Sequence, residues 1–181
     1  MFIEFDMLDA PIDWYIALGS NQGDSLTHLR KARHDLSELG EVLGASAIFR
    51  SAPMYETDQP SFLNAVIHLR STLRGEALLD ALRAIERAHG RSRDPERRYG
   101  PRSLDLDIVA GVRSDEEIVY STEQLQIPHE RMHERLFVLL PLREIAPDWI
   151  HPRLAYSVKE MIDNLPKDDS LVVAYEPLEW V

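Results

Sequence analysis

Two aspartates, Asp105 and Asp107, lie two residues apart in the apolar segment 104–109. Successive side chains of a β-strand alternate between faces, so both carboxylates lie on one face while the leucines and isoleucine lie on the other. Two acids on one strand face repel each other unless a cation neutralises them. Such a pair can bind one or two Mg²⁺ ions together with phosphate oxygens, although the spacing alone also fits a solvated strand face.

The segment that precedes the aspartates carries a local cluster of positive charge. Five of the 17 arginines lie between residues 91 and 102, in a chain whose net charge is −11. Guanidinium groups match the geometry of phosphate oxygens, so a short arginine cluster on an acidic body indicates a polyphosphate ligand. A solvated loop held by local pairs, such as Glu96 with Arg97, is the alternative interpretation.

Composition excludes several other classes of function. The absence of cysteine excludes disulfides, cysteine-ligated zinc, iron–sulfur clusters and thiol catalysis. The net charge of −11 argues against nucleic acid or an anionic membrane as a partner. A length of 181 residues, without an apolar run of membrane length or a signal-like start, predicts a cytoplasmic protein. The oligomeric state stays open, with a monomer favoured.

The elements around these residues predict an α+β fold. Apolar runs and period-two alternation predict strands at 14–18, 42–49, 63–70 and 104–109. Helical spacing predicts one helix from an N-cap at Ser25 to Gly40 and a second from Gly75 to Gly90. The order is that of a ferredoxin-like βαββαβ core, an antiparallel sheet with both helices on one face.

The remaining segments are expected to flank this core. Residues 1–13 are predicted to form a loose arm, and residues 14–181 a single domain with C-terminal additions. The loops 51–61 and 91–103 are candidate lids. Further elements are predicted at 118–120 and 171–175 as strands, and at 133–140 and 157–165 as helices.

Six collinear motifs are specific enough to indicate a family. They are YIALGSN at 15–21, DQPSFLNA at 58–65, GRSR at 90–93, YGPRSLDLDI at 99–108, IPHERMHERLFVLLPL at 127–142 and EIAP at 144–147. In these motifs the sequence resembles the 6-hydroxymethyl-7,8-dihydropterin pyrophosphokinases of folate biosynthesis. The resemblance implies the same ferredoxin-like core and transfer of pyrophosphate from ATP to a pterin hydroxymethyl group, with release of AMP.

The resemblance also implies a set of residues on the nucleotide side. Asp105 and Asp107 match the carboxylates that hold two Mg²⁺ ions, and Arg91 and Arg102 match catalytic arginines that contact the triphosphate. The further residues matched to ATP binding are Glu86, Arg93, Tyr99, Ile108, His129 and Arg135. Arg83, Gln124 and Gln126 depart from the pattern, which puts the adenine and ribose contacts in doubt.

On the pterin side the resemblance implies a neutral pocket. Phe62 and Phe137 match two aromatic residues that sandwich the pterin ring, and Asn64 matches the amide that reads its polar edge. The residues matched to the loop that lines this pocket are Ser51, Ala52 and Met54. A flat heterocycle favours an aromatic side chain on each face and an amide in its plane. Ordinary core packing is the alternative for both phenylalanines.

Two other functions remain open at this point. One is a ferredoxin-like module that binds Mg²⁺ and nucleotide without turnover. The other is an RNA-binding ferredoxin-like domain, which requires exposed aromatic residues on the sheet and a basic surface. The net charge of −11 counts against the RNA-binding interpretation.

Overall fold

The computed structural model describes residues 10–54, 56–91, 100–166, 172–175 and 180, and these contain nine strands. The strands are β1 Ile12–Ser20, β2 Glu41–Ala45, β3 Ile48–Ser51, β4 Phe62–Ser71, β5 Asp105–Arg113, β6 Glu116–Glu117, β7 Tyr120–Ser121, β8 Gln126–Ile127 and β9 Val173–Tyr175. Seven of them form a sheet in the order β6-β5-β1-β4-β3-β9, with β2 also paired to β4. Every pairing within it is antiparallel.

The helices are α1 Ser25–Ser37, α2 Gly75–Ala88, α3 Leu136–Ile145 and α4 Val158–Asp163, with a short 3₁₀ turn at Met132–Glu134. Along the chain β1, α1, β2 with β3, β4, α2 and β5 follow the predicted order, and β1 lies between β4 and β5. The ferredoxin-like arrangement is therefore confirmed. Within the described residues, no helix combines the length and apolarity needed to cross a membrane.

Two hydrophobic cores lie on opposite faces of the sheet. Helices α1 and α2 bury Leu29, Leu36, Leu78 and Leu82 in the larger core, as their helical spacing predicts. Helices α3 and α4 contribute Leu139, Leu142 and Met161 to a second core on the other face. Strand β4 was expected to have one core face, and this is wrong because Val66 is buried in the second core.

Several predicted boundaries differ from the structure. The N-cap of α1 is Asp24 rather than Ser25, because an Asp24 carboxylate oxygen accepts the Thr27 amide at 3.1 Å. Strand β1 begins at Ile12, so Ile12 and Asp13 pair with β4 instead of belonging to the arm. Residues 1–9 of that arm lie outside the described residues.

The predicted strand 42–49 is interrupted at Ser46. The Ser46 hydroxyl accepts the Val66 amide at 2.9 Å, and the Ser46 amide donates to the Val66 carbonyl at 2.9 Å. This side-chain bond replaces part of the backbone ladder and separates β2 from β3.

The later predictions are confirmed only in part. The predicted strand 118–120 is reduced to the short strands β6 and β7, which flank Ile118. The predicted helix 133–140 is divided at the extended residue Arg135 into the 3₁₀ turn and α3, which ends at Ile145. Helix α4 has Ser157 as its N-cap, in a capping box with Glu160.

Candidate active site

A cavity of about 730 Å³ opens beside the start of β5 and collects most of the predicted site residues. The predicted residues that line it are Ser51, Ala52, Met54, Phe62, Asn64, Arg91, Arg102, Asp105, Asp107, Ile108, His129, Arg135 and Phe137. They come from the end of β3, from β4 and β5, from the start of α3 and from nearby loops, so segments distant in sequence meet in one place.

Two of the predicted ATP residues, Glu86 and Ile108, have buried side chains, and two more lie outside the described residues. Glu86 is only 1% exposed and lies behind the cavity wall. The Ile108 side chain packs in the larger core, since alternation along β5 turns it away from the aspartates. Arg93 and Tyr99 lie outside the described residues, as does most of the candidate lid 91–103.

Asp105 is the centre of a charged cluster on one wall. Its two carboxylate oxygens form ion pairs with Arg91 and Arg102. Burial acts to raise the pKa of Asp105, but the two guanidinium groups together hold it below its ordinary value. Asp105 lies opposite Gly19 in the pairing of β1 with β5, and a side chain at Gly19 would contact both Asp105 and Asn64. Glycine therefore keeps the floor of the cavity open.

Asp107 faces the same cavity with a more exposed side chain. The side chain is 43% exposed, and its Oδ2 lies 3.9 Å from Arg135 Nη1 and 4.0 Å from His129 Nε2. Partial desolvation in the cavity and the negative charge of Asp105 raise the pKa of Asp107 above its ordinary value. The two aspartates therefore lie on one strand face as the sequence predicts, in a place where added positive charge is favourable.

His129 is held as a neutral imidazole beside Asp107. Burial and the positive charge of Arg135 lower the pKa of His129 to about 4. The His129 Nδ1 accepts the Arg131 amide at 3.1 Å, so the proton of the neutral ring lies on Nε2, which faces Asp107. The backbone amide of His129 donates to the Val109 carbonyl at 2.8 Å and fixes the ring to β5.

Glu86 connects α2 to the charged wall. Its Oε1 accepts the Leu106 amide at 2.9 Å and also pairs with Arg91. Arg91 is therefore held between a buried carboxylate and Asp105. In this geometry Glu86 positions Arg91 and does not itself reach the cavity.

The part of the cavity beside β3 and β4 is neutral. The Asn64 side chain is 4% exposed, and its Nδ2 donates to Ser51 Oγ at 2.9 Å and to the Phe49 carbonyl at 3.3 Å. Both donors are thus used within the protein, and Oδ1 is the atom turned toward Gly19. Phe62 and Phe137 also line the cavity, and the Arg135 guanidinium lies 5.9 Å from the Phe137 ring centre.

Sequence reasoning missed Asn21, which joins the two parts. Its Oδ1 accepts the Arg102 amide at 2.8 Å, while its Nδ2 donates at 3.0 Å to both Gln59 Oε1 and the Pro60 carbonyl. Asn21 is 3% exposed, so these bonds are shielded from water. The sequence does contain one signal for this role, an amide side chain directly after a buried strand, at the end of the motif 15–21. The sequence pattern alone predicts only a turn at this position.

The donor set fits a hard cation whose remaining ligands come from phosphate. Among the residues that the structure describes, no three His, Asp or Glu side chains group as metal ligands. Mg²⁺ commonly takes one or two carboxylates and completes its shell with water and phosphate oxygens, which is the number that Asp105 and Asp107 supply. Arg135 Nε is buried without a hydrogen-bond partner in the described part of the chain, a donor suited to an anionic oxygen.

Comparison with known sequences gives one consistent family. A model for the 7,8-dihydro-6-hydroxymethylpterin-pyrophosphokinase family matches residues 15–147. The Bacillus subtilis 2-amino-4-hydroxy-6-hydroxymethyldihydropteridine pyrophosphokinase is 45% identical over 134 residues, which cover 73% of this chain and 77% of that enzyme. The Haemophilus influenzae enzyme of the same name is 39% identical over 155 residues, 83% of this chain and 93% of that enzyme.

Other relatives are much longer. The Schizosaccharomyces pombe folic acid synthesis protein fol1 is 39% identical over 154 residues, and this chain spans only 20% of it. Among solved structures, Plasmodium falciparum HPPK-DHPS with pterin and p-hydroxybenzoate has a TM-score of 0.61 at 14% identity, covering 85% of this chain and 43% of that one. The structural likeness supports the fold alone.

Proposed function

This chain belongs to the 7,8-dihydro-6-hydroxymethylpterin-pyrophosphokinase family, and we propose that it transfers pyrophosphate from ATP to the hydroxymethyl group of 6-hydroxymethyl-7,8-dihydropterin, releasing AMP. One observation carries the proposal: a single cavity has two strand carboxylates with arginines at one part and a buried amide with aromatic residues at the other. The first part suits a metal-bound triphosphate, and the second suits a flat heterocycle.

Asp105 and Asp107 are proposed to hold two Mg²⁺ ions at the charged wall. Their shared strand face and the raised pKa of Asp107 support this assignment, because cations relieve the repulsion between the two carboxylates. When bound, the ions neutralise charge on the ATP phosphates and act as Lewis acids.

Arg91, Arg102 and Arg135 are proposed to bind the triphosphate. Arg91 and Arg102 pair with Asp105 in this structure, and we expect both to exchange that carboxylate for phosphate oxygens when the nucleotide binds. Arg135 contributes its unpartnered Nε, and neutral His129 offers an Nε2 proton to an anionic oxygen. Of the loop contacts that the sequence suggested, Arg93 and Tyr99 remain predictions.

Asn64 is proposed to orient the pterin, with Phe62 and Phe137 against its ring faces. Because both Nδ2 hydrogens of Asn64 are bonded within the protein, Oδ1 faces the cavity as an acceptor for a pterin N–H group. The amide therefore needs no reorientation when the substrate binds. Ser51, Ala52 and Met54 complete the lining of this pocket.

The charged wall and the pterin pocket together position the reacting groups. The hydroxymethyl oxygen of the pterin attacks the β-phosphorus of ATP and loses its proton, while the bond from that phosphorus to the oxygen of the leaving AMP breaks. Positioning and charge neutralisation supply most of the rate enhancement in reactions of this class. The arginines and the aspartates provide the charge neutralisation. Asn64 and Asn21 provide the positioning.

We propose that the chain is cytoplasmic, that its partners are small molecules, and that it binds neither nucleic acid nor membranes. The net charge of −11 and the absence of cysteine support this view.

The direct test is to incubate the chain with ATP, Mg²⁺ and the hydroxymethyl pterin and to measure AMP and the pterin diphosphate by chromatography. We expect both products in equal amounts, and no AMP when the pterin is omitted. Nucleotide binding without AMP formation would overturn the proposal and indicate a binding module.

A further inference from the structure

The C-terminal segment lies beyond the family match, yet its end is part of the core. Trp180 is 3% exposed and packs in the larger core. Its indole Nε1 donates to the Ser46 carbonyl at 2.6 Å, and its own carbonyl accepts Arg33 Nη1 at 2.9 Å. Trp180 therefore ties α1 to the break between β2 and β3.

Strand β9 makes a second contact to the same region. It pairs antiparallel with β3, placing Ala174 opposite Phe49 and Val173 opposite Arg50. The Arg50 guanidinium lies 4.7 Å from the centre of the Tyr175 ring, a cation–π contact. Without β9, β3 would be a four-residue edge strand with unpaired backbone groups on its outer side.

The other side of β3 faces the proposed pterin residues. In the pairing of β3 with β4, Phe49 lies opposite Asn64 and Ser51 lies opposite Phe62. The Phe49 carbonyl and the Ser51 hydroxyl also accept the two hydrogen bonds that orient the Asn64 amide. The position of β3 thus sets the direction of the amide oxygen that faces the cavity.

We propose that Trp180 and β9 are positioning elements for the pterin part of the active site. They hold β3 from its outer side and from the Ser46 break, and β3 in turn orients Asn64. The charged wall does not depend on them, because Asp105, Asp107 and Arg102 are supported by β1, β5 and α2. This inference rests on the proposed function, since it assigns Asn64 to the pterin.

The test compares two tryptophan substitutions, each of which removes one hydrogen bond donated by an indole Nε1. Trp180→Phe removes the bond to Ser46. Trp149→Phe is the matched control, because the buried Trp149 donates its Nε1 to Glu117 Oε2 at 2.8 Å in the other core. Tyr175→Ala, which removes the partner of Arg50, is a milder second probe if Trp180→Phe folds poorly.

We expect Trp180→Phe and Tyr175→Ala to raise the KM for the pterin about three- to tenfold, with the KM for ATP and kcat unchanged. Trp149→Phe should lower the melting temperature without changing either KM. An unchanged pterin KM, a parallel change in ATP KM and kcat, or the same rise in Trp149→Phe would each overturn the proposal.

A binding measurement separates this inference from the proposed function. Calorimetric titration of the pterin in the presence of Mg²⁺ and a non-hydrolysable ATP analogue should show the same three- to tenfold loss in Trp180→Phe. If the wild-type chain binds pterin but forms no AMP, the proposed function fails and the titration still decides the inference. If the wild-type chain does not bind pterin, both are overturned.

Discussion

The charged and neutral parts of the cavity are built in different ways. At the charged wall, Asp105 and its arginines are paired with one another, and Asp107 lies among ionisable neighbours. In the pterin pocket, Asn64 is fixed by a backbone carbonyl and a serine hydroxyl. Under the proposed function, the charged groups exchange partners when a nucleotide binds, whereas the neutral amide keeps the orientation that it has in this structure.

This difference indicates that the charged wall and the pterin pocket contribute to different kinetic constants. Charge neutralisation is needed most in the transition state, so changes at the charged wall should appear mainly in kcat. Contacts to the pterin exist in the bound substrate as well as in the transition state, so changes in the pterin pocket should appear mainly in KM. Substitutions in the charged wall and in the pterin pocket test this division.

The largest effect is expected at Asp107. Asp107→Asn keeps the shape of the side chain but removes the charge proposed to hold Mg²⁺, and we expect kcat to fall about 10³-fold. Pterin affinity should remain within about twofold, as measured by titration. Asp163→Asn is the control, since Asp163 pairs with Lys159 on the surface. A kcat within tenfold of wild type would contradict the metal assignment.

Arg102→Ala should have the next largest effect. Loss of a guanidinium that is proposed to bind the triphosphate is expected to lower kcat about 10²-fold while the pterin dissociation constant stays unchanged. Arg70→Ala, which removes an ion pair with Asp13 remote from the cavity, should leave kcat unchanged. If Arg102→Ala weakened pterin binding as strongly as it slowed turnover, the charged wall would not act mainly on kcat.

Substitution of Asn21 should affect both the charged wall and the pterin pocket, because Asn21 bonds to the backbone next to each of them. Asn21→Ala is expected to lower kcat and raise the pterin KM, each about tenfold. Asn21→Asp keeps the oxygen that accepts the Arg102 amide but loses the donors to Gln59 and Pro60. Steady-state kinetics should therefore show a higher pterin KM for Asn21→Asp, with a smaller loss in kcat than Asn21→Ala shows. Equal effects of the two variants on both constants would contradict the proposed link through Asn21.

The smallest effect is expected at Asp13, away from both walls. The hydrogen bond from Arg70 holds the pKa of Asp13 below 3.8, although burial opposes it. The ionised carboxylate therefore stabilises the fold at neutral pH, and this contribution is lost as the pH falls below 3.8 through the lowered pKa.

Urea unfolding at several pH values tests this expectation. Asp13→Asn should reduce the free energy of unfolding by about 0.5 kcal/mol at neutral pH, with no difference from wild type in strong acid and no change in either KM. A stability difference of equal size at both extremes would show that charge at Asp13 is not its source.

Much of the fold follows from local patterns in the sequence. Period-two alternation placed Asp105 and Asp107 on one strand face, and helical spacing placed Leu78 and Leu82 in the core. The cap of α1 was misplaced by one residue because Asp24 and Ser25 are both good N-cap residues. Local chemistry does not distinguish such neighbours.

The connections between distant segments could not be predicted in this way. Asn21 bonds to a residue 81 positions away, and Trp180 bonds to one 134 positions away. No periodicity encodes these pairs, since they depend on how whole elements pack. The same holds for Glu86, which the resemblance matches to a nucleotide contact and whose carboxylate also accepts the Leu106 amide of β5.

The most direct test is a crystal structure with Mg²⁺, a non-hydrolysable ATP analogue and the pterin. We predict cations about 2.1 Å from oxygens of Asp105 and Asp107, Arg91 and Arg102 on the phosphates, and the pterin against Asn64 Oδ1. Nucleotide bound in the cavity with both aspartates free of metal and Asp105 still paired with its arginines would contradict this arrangement.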